Sequence, residues 1–416
     1  MTAPEGAGAG TGTGATAGTG TGTGLRRWLP PLVPRRTDEE HRVSTPLELL
    51  FDLCFVVAVS QAASQLSSHL ALGDIRSGLV GYGTVFFAIW WAWVNFTWFA
   101  SAYDRDDVAY RLLTFVQIVG VLILAAGIPS AFAHGNFDVM TVGYVVMRVA
   151  MVTQWLRAAA GHAAGRTMAR RYAFGISILQ LGWVARLFFP SPWATVAFYV
   201  LALGEISVPA WSERGGSGTP WHPEHISERY GLFTLIVLGE CVAAATVAIQ
   251  SASTSNGSLS ASLIGVAAGG LLLVFAAWWW YFEHPADDDL RVTRQFSFVW
   301  GYAHYLVFAS LAALGAGLEV AADATRRHSA ISALTAGLAV AGPVAAYLLV
   351  TGALQARSSR STSPPFRSAI LAALLILGLG FATPALRVGV TVPLMGVVAV
   401  ALVVVDHVVR PGPSPV

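Results

Sequence analysis

Two carboxylates, Glu48 and Asp52, stand four residues apart at the start of an apolar run from Pro46 to Leu66. That spacing places them on one helical face, which Phe55 and Val59 continue. A charged side chain in hydrocarbon costs roughly 2.5–3.5 kcal/mol on insertion scales, so acids found there usually face protein or water and mark a pathway. Glu48 has a second explanation, because Thr45, Pro46 and Glu48 form a capping box with proline at the first helical position. Asp52 lies a turn deeper, roughly 9 Å along the axis from Pro46, beyond the reach of a cap. Asp52 is therefore the first candidate for a buried ionisable group, with Phe55 and Val59 as an apolar constriction beside it.

A second deep acid, Glu240, falls near the middle of the run 228–250. Arg229 is eleven positions earlier, close to the same face but roughly 16 Å away, so the two cannot pair. A lone carboxylate at that depth must be matched by a cation from another helix or go uncharged. Arg148 is the first candidate partner and His304 the second. The same groups could equally form a polar clasp between helices.

Tryptophans run into acids at two further places: Trp90, Trp91, Trp93 and Trp98 before Asp104, Asp106 and Asp107, and Trp278 to Trp280 before Glu283 and Asp287 to Asp289. The aromatics read most simply as an interfacial belt. Asp107 with Arg111, and Asp287 with Arg291, are spaced for i, i+4 ion pairs at a helix start. With Glu48 and Glu228 these acids would line one membrane face, as a cation-attracting vestibule or as a solvated surface. His222, Glu224 and His225 lack a further ligand at metal spacing. Gly265 and Gly269 form a small-residue packing motif, and Cys54 and Cys241 read as small apolar residues within spans. The chain has no phosphate loop, zinc-protease helix, nucleophile elbow or dinucleotide fingerprint. Nothing points to an enzyme, a cofactor or a metal.

The elements that would hold these groups follow from composition. The chain is 55% hydrophobic and 12% charged, with a mean hydropathy of +0.60, and apolar runs of about 20 residues recur almost end to end. The fold class expected is an all-α, polytopic membrane bundle of about twelve spans: 46–66, 77–100, 109–131, 139–159, 169–189, 192–211, 228–250, 260–283, 296–316, 328–353, 367–384 and 387–408. All 25 basic residues are Arg. Nineteen fall on one face of this topology and five (Arg76, Arg186, Arg326, Arg327, Arg387) on the other, with Arg148 inside a span. The positive-inside rule then puts both termini in the cytoplasm. Residues 1–24, almost wholly Gly, Thr and Ala, read as a disordered tail without a cleaved signal. The net charge of +2 is explained by topology and implies no nucleic-acid partner.

A shift of 180 positions brings Glu48 onto Glu228, Trp98 onto Trp278, Asp107 onto Asp287 and Arg111 onto Arg291. This predicts two parallel six-helix repeats, 42–216 and 217–410, flanked by tails 1–41 and 411–416, with any site at the repeat interface. The halves have diverged, since Leu232 stands opposite Asp52.

The run Leu47 to Gln61, LELLFDLCFVVAVSQ, together with Trp90 to Arg111, Arg148 and the segment Glu228 to Glu240, ERYGLFTLIVLGE, resembles the low temperature requirement protein A (LtrA) family of bacterial membrane proteins. The resemblance implies a role tied to growth at low temperature and a place in the bacterial cell membrane, without fixing a substrate. It implies functional positions at Glu48, Phe51, Asp52, Asp107, Arg111, Arg148, Glu228, Arg229 and Glu240, and Glu205 stands where an aspartate is expected. More faintly, Phe51-Asp52 is similar to the Phe-Ser-Asp opening of the repeats of endolysosomal potassium channels, although the serine is missing here. The expected function is transport of a small solute or cation, with Asp52 and Glu240 as buried acids and Arg148 as their counter-charge. The alternatives are a membrane scaffold or sensor responding to cold, and a lipid-acting enzyme with the His222 to Glu228 segment as its foothold. Partners admitted are the lipid bilayer, the solute and a second copy of the chain as a homodimer.

Overall fold

The computed structural model describes residues 32–36, 39, 42–216, 218–256, 260–283, 290, 294–326, 329–357 and 365–409. The glycine-rich tail 1–24, Asp287 to Asp289, Arg291 and the tail 411–416 lie outside them. Among the described residues there are twelve long helices and no strand. They are α1 (Pro46–Ala71), α2 (Ile75–Tyr103), α3 (Val108–His134), α4 (Asp138–Gly161), α5 (Arg166–Arg186) and α6 (Trp193–Ser212), then α7 (Pro223–Asn256), α8 (Ala261–Phe282), α9 (Arg294–Asp323), α10 (Ala333–Ala356), α11 (Pro365–Leu386) and α12 (Val388–Val409).

Eleven of the twelve are long and apolar enough to cross a membrane. The helix outside that set is α5, on which the expected span 169–189 falls; Arg166, Arg170, Arg171 and Arg186 hold down its hydropathy. The outward faces carry apolar side chains, as on α1 where Leu49, Leu50, Leu53 and Val57 are exposed. That is the pattern a lipid solvent requires, with every backbone polar group satisfied inside the helix.

Local chemistry sets the helix starts. Thr45 caps α1 in a full capping box, its hydroxyl accepting from the Glu48 amide while the Glu48 side chain accepts from the Thr45 amide. Asp107 caps α3 through the Tyr110 amide, Ser260 caps α8 and Ser332 caps α10, each satisfying an amide that the helix leaves open. Small residues set the closest helix contacts. A Cβ on Gly265 would fall on the Gly389 carbonyl, and one on Gly269 on the backbone of Val392 and Pro393, so α8 and α12 touch through bare backbone. The predicted packing role of this glycine pair is realised.

In the first half, α1 packs on α3, α3 on α4, α4 on α5 and α5 on α6; in the second, α7 packs on α9, α9 on α10, α10 on α11 and α11 on α12. The two sets meet where α1 and α2 lie against α7 and α9.

The tryptophans of α2 are corrected by the fold. Trp90, Trp91 and Trp93 are buried in the protein core, not arranged as an interfacial belt, because α2 is enclosed by its neighbours. On α8, Trp278 and Trp279 are exposed while Trp280 is buried and donates to Thr351.

Candidate functional site: a buried ion network between α1 and α7

At the arginine-rich end of the bundle, two i, i+4 pairs face each other: Glu48 and Asp52 on α1, His225 and Arg229 on α7. All four are fully buried. The Arg229 guanidinium donates from Nε to Asp52 Oδ2 at 3.0 Å and from Nη2 to Asp52 Oδ1 at 2.5 Å. Its third nitrogen, Nη1, lies 3.0 Å from Glu48 Oε1. His225 Nε2 lies 3.3 Å from Glu48. A planar fork between two carboxylates is the arrangement for which arginine is suited and lysine is not. Trp93 completes the shell by donating to Asp52 Oδ1 at 2.7 Å, while its ring stacks on Phe233 of α7 at 4.4 Å.

The chain before α1 ties this cluster to the end of α2. Arg42 donates to the carbonyls of Ala100 and Ser101 in the last turn of α2, the former also accepting the Asp104 amide. Ser101 Oγ in turn accepts from the His222 amide ahead of α7, at 3.0 Å. Asp104, just beyond α2, is almost fully buried, and burial together with the Glu48 charge pushes its carboxyl up to about 6 against the pull of the Asp106 amide, Arg42 and Arg35.

Both readings of Glu48 hold at once, since one carboxylate closes the capping box and meets Arg229 and His225. Asp52 is partnered by Arg229 of α7, a pairing that the spacing of Arg229 and Glu240 along one helix does not reveal. The signal was present in the complementary i, i+4 pairs of α1 and α7.

Arg148 is corrected. It does not face Glu240; it lies 3.1 Å from Glu205 of α6 and also donates to the Tyr144 hydroxyl. Glu205 further accepts from the indoles of Trp91, at 2.9 Å, and Trp183, at 3.2 Å. This second network is buried too. An α6 glutamate reaches Arg148 because α4, α5 and α6 pack in sequence. Glu240 is half-buried and pairs with neither proposed partner.

The ion pair expected between Asp107 and Arg111 is also replaced. Asp107 takes Arg157 of α4, at 2.7 and 3.0 Å, while Arg111 bonds the exposed Asp106. A capping aspartate turns its carboxylate toward the amides of its own first turn, away from the residue four further on. The equivalent second-half pair includes Asp287 and Arg291, outside the described residues.

Phe55 and Val59 are each 1% exposed, and Phe55 packs on Phe51, which lies on Phe96. They form a closed core rather than an open constriction. A cavity of about 300 Å³ lies elsewhere, among α7, α8, α9 and α10, lined by Glu228, Tyr281, His304, Thr351 and Gln355. There the Tyr281 hydroxyl and His304 Nε2 are 2.9 Å apart, and Glu228 accepts from the Ser44 amide at 3.1 Å. Two residues chosen from sequence, Glu228 and His304, thus share this cavity, next along the chain from Arg229.

Over 223 residues, 50% of its length, the chain is 27% identical to a protein of Rhizobium meliloti (strain 1021) described as uncharacterized, and it spans about half (51%) of that relative. A family model described as bacterial low temperature requirement A protein (LtrA) matches residues 43–405, which takes in both ion networks and the cavity; the chain belongs to the LtrA family.

Proposed function

We propose that this LtrA-family membrane protein transports a small polar or cationic solute across the bacterial cell membrane, using two parallel six-helix repeats with both termini on the arginine-rich, cytoplasmic side. The observation that carries this reading is the 300 Å³ cavity lined by Glu228, Tyr281, His304 and Gln355. It has the size of small-ligand sites and lies within the second repeat, where Glu228 in its wall reaches the first repeat through the Ser44 amide. Glu228 supplies charge, while His304, Tyr281 and Gln355 supply hydrogen-bonding groups. The ion network beside it couples the repeats, and breaking or remaking its bonds would accompany movement of one half against the other.

The repeat reading is supported by the packing order shared by the first, third, fourth, fifth and sixth helices of each half, although α8 packs on α12 where α2 does not pack on α6. It is also supported by a reciprocal contact: Glu48 of the first half takes His225 and Arg229 from the start of α7, and Glu228 of the second takes the Ser44 amide from the start of α1. One observation favours a second reading, a non-transporting scaffold or sensor. Asp52 is saturated by Arg229 and Trp93, and Phe55 and Val59 are packed shut, as in a structural clasp.

The test is flux of potassium, sodium and protons into liposomes carrying the wild type, Glu228→Gln or Asp52→Asn. Transport predicts flux in the wild type that Glu228→Gln abolishes while the protein remains folded. Flux in the wild type that Glu228→Gln leaves unchanged removes the cavity from the pathway, and a wild type silent for all three ions removes the cation reading and leaves organic-solute transport or the scaffold.

A further inference from the structure

A second cavity, separate from the ion network and from the α7–α10 cavity, lies at the arginine-rich end between α2, α4, α5, α6 and α9. Its volume is about 50 Å³. Trp98, Trp155, Tyr172, Trp221 and Tyr302 line it, with one acid, Glu213, at the end of α6.

The rings stand as walls. Trp98 and Trp221 meet edge to face, with centroids 4.9 Å apart and planes at 73°. Trp155 and Tyr172 stack at 4.1 Å and 1° to make a second flat wall. The polar edges of several of these rings are engaged elsewhere: the Trp98 indole donates to the Tyr230 hydroxyl, and the Tyr302 hydroxyl to the Ile206 carbonyl. What these two offer the cavity is π surface. Asn95 and Ser297 also line it, yet they donate to the carbonyls of Trp91 and Leu290. Glu213 is held in place at Oε1 by the Tyr172 hydroxyl at 3.1 Å, the Thr219 hydroxyl at 2.6 Å and the Thr219 amide at 3.3 Å.

Perpendicular π faces around a carboxylate, with the Trp98, Tyr302, Asn95 and Ser297 donors engaged elsewhere and no cationic side chain among the described lining residues, favour a ligand that is positively charged and needs few hydrogen bonds. Size narrows the class further. A cavity of about 150 Å³ admits benzene, so the roughly 50 Å³ enclosed here takes about two heavy atoms, such as a methyl group and the nitrogen that carries it, with the rest of a compact head in the open mouth. We propose that this aromatic cage is a binding site for a quaternary or methylated ammonium group, carried by a free solute or by a lipid headgroup. The proposal stands independently of the transport reading, because it concerns binding alone and uses a different cavity.

The test is calorimetric titration of the full chain, in nanodiscs of phosphatidylglycerol, with tetramethylammonium and with tert-butanol, which is nearly the same size but uncharged. A roughly millimolar Kd is expected for tetramethylammonium, as suits a five-atom ligand, with tert-butanol at least about tenfold weaker. Glu213→Gln and Trp221→Leu should each weaken tetramethylammonium by about tenfold, while circular dichroism and ligand-free melting show that the variants fold. If Trp221→Leu fails to fold, Glu213→Gln and the tert-butanol comparison decide. Repeating the titration in phosphatidylcholine nanodiscs separates the sources: weakened apparent binding identifies the cage as a lipid-headgroup site, and unchanged binding identifies it as a site for free solute. Equal affinity for tert-butanol, no tetramethylammonium binding up to about 50 mM, or folded variants that bind like the wild type would overturn the proposal.

Discussion

Replacing Arg229 by Gln should be among the most damaging single changes in the protein, and replacing Asp52 at the same time should recover part of the loss. Arg229 supplies two bonds to Asp52, at 3.0 and 2.5 Å, and a contact to Glu48 at 3.0 Å, with all three side chains fully buried. Arg229→Gln leaves two neighbouring carboxylates without their cation. Orphaning a buried charge costs about 3–5 kcal/mol. Asp52→Asn removes two charge-assisted bonds but leaves Arg229 with Glu48, for about 2–4 kcal/mol. In the double variant the pair is neutral on both sides, and Glu48 keeps Thr45 and His225. Its cost should fall short of the summed single costs by about 2 kcal/mol or more. The assay is reversible unfolding in lipid micelles titrated with a denaturing detergent, followed by tryptophan fluorescence. Costs that add to within about 0.5 kcal/mol would refute direct coupling of α1 to α7 through this pair. Asp52 and Arg148 belong to separate networks, so their cycle should be additive and serves as the control.

Glu205→Gln should destabilise the α4–α6 packing by about 3–5 kcal/mol by stranding Arg148, and the double variant with Arg148→Met should be milder in the same unfolding assay. Asp104 titrates at about 6 in the folded protein, above its ordinary 3.8. The folded state therefore holds this proton more tightly than the unfolded state, and the associated stability is complete below pH of about 4 and lost as pH rises through about 6. Melting curves between these pH values should show the wild type losing on the order of 1–3 kcal/mol that Asp104→Asn retains; parallel profiles for the two proteins would show that Asp104 does not titrate there.

Much of the architecture was legible in the chain itself, because a bilayer imposes one-dimensional rules. A run of apolar residues long enough to span must be helical, and all twelve expected runs fall on helices, eleven of them apolar enough to cross while α5 is not. Thr45, Pro46 and Glu48 announced the start of α1 through bonds confined to four residues, and the Gly265 and Gly269 pair marked a close helix contact. The residues to suspect were legible too, since any charge inside an apolar run needs a compensating partner. The partners themselves were decided only by tertiary structure. Arg148 took Glu205 rather than Glu240 because α4, α5 and α6 pack in order. Asp107 took Arg157 from another helix once its carboxylate had turned to cap α3. The α2 tryptophans, indistinguishable in sequence from an interfacial belt, went inside because neighbouring helices enclose α2. A helix in lipid shows which of its residues need a partner through local spacing, but which residue answers depends on how helices dock, and that is set by contacts far apart in the chain.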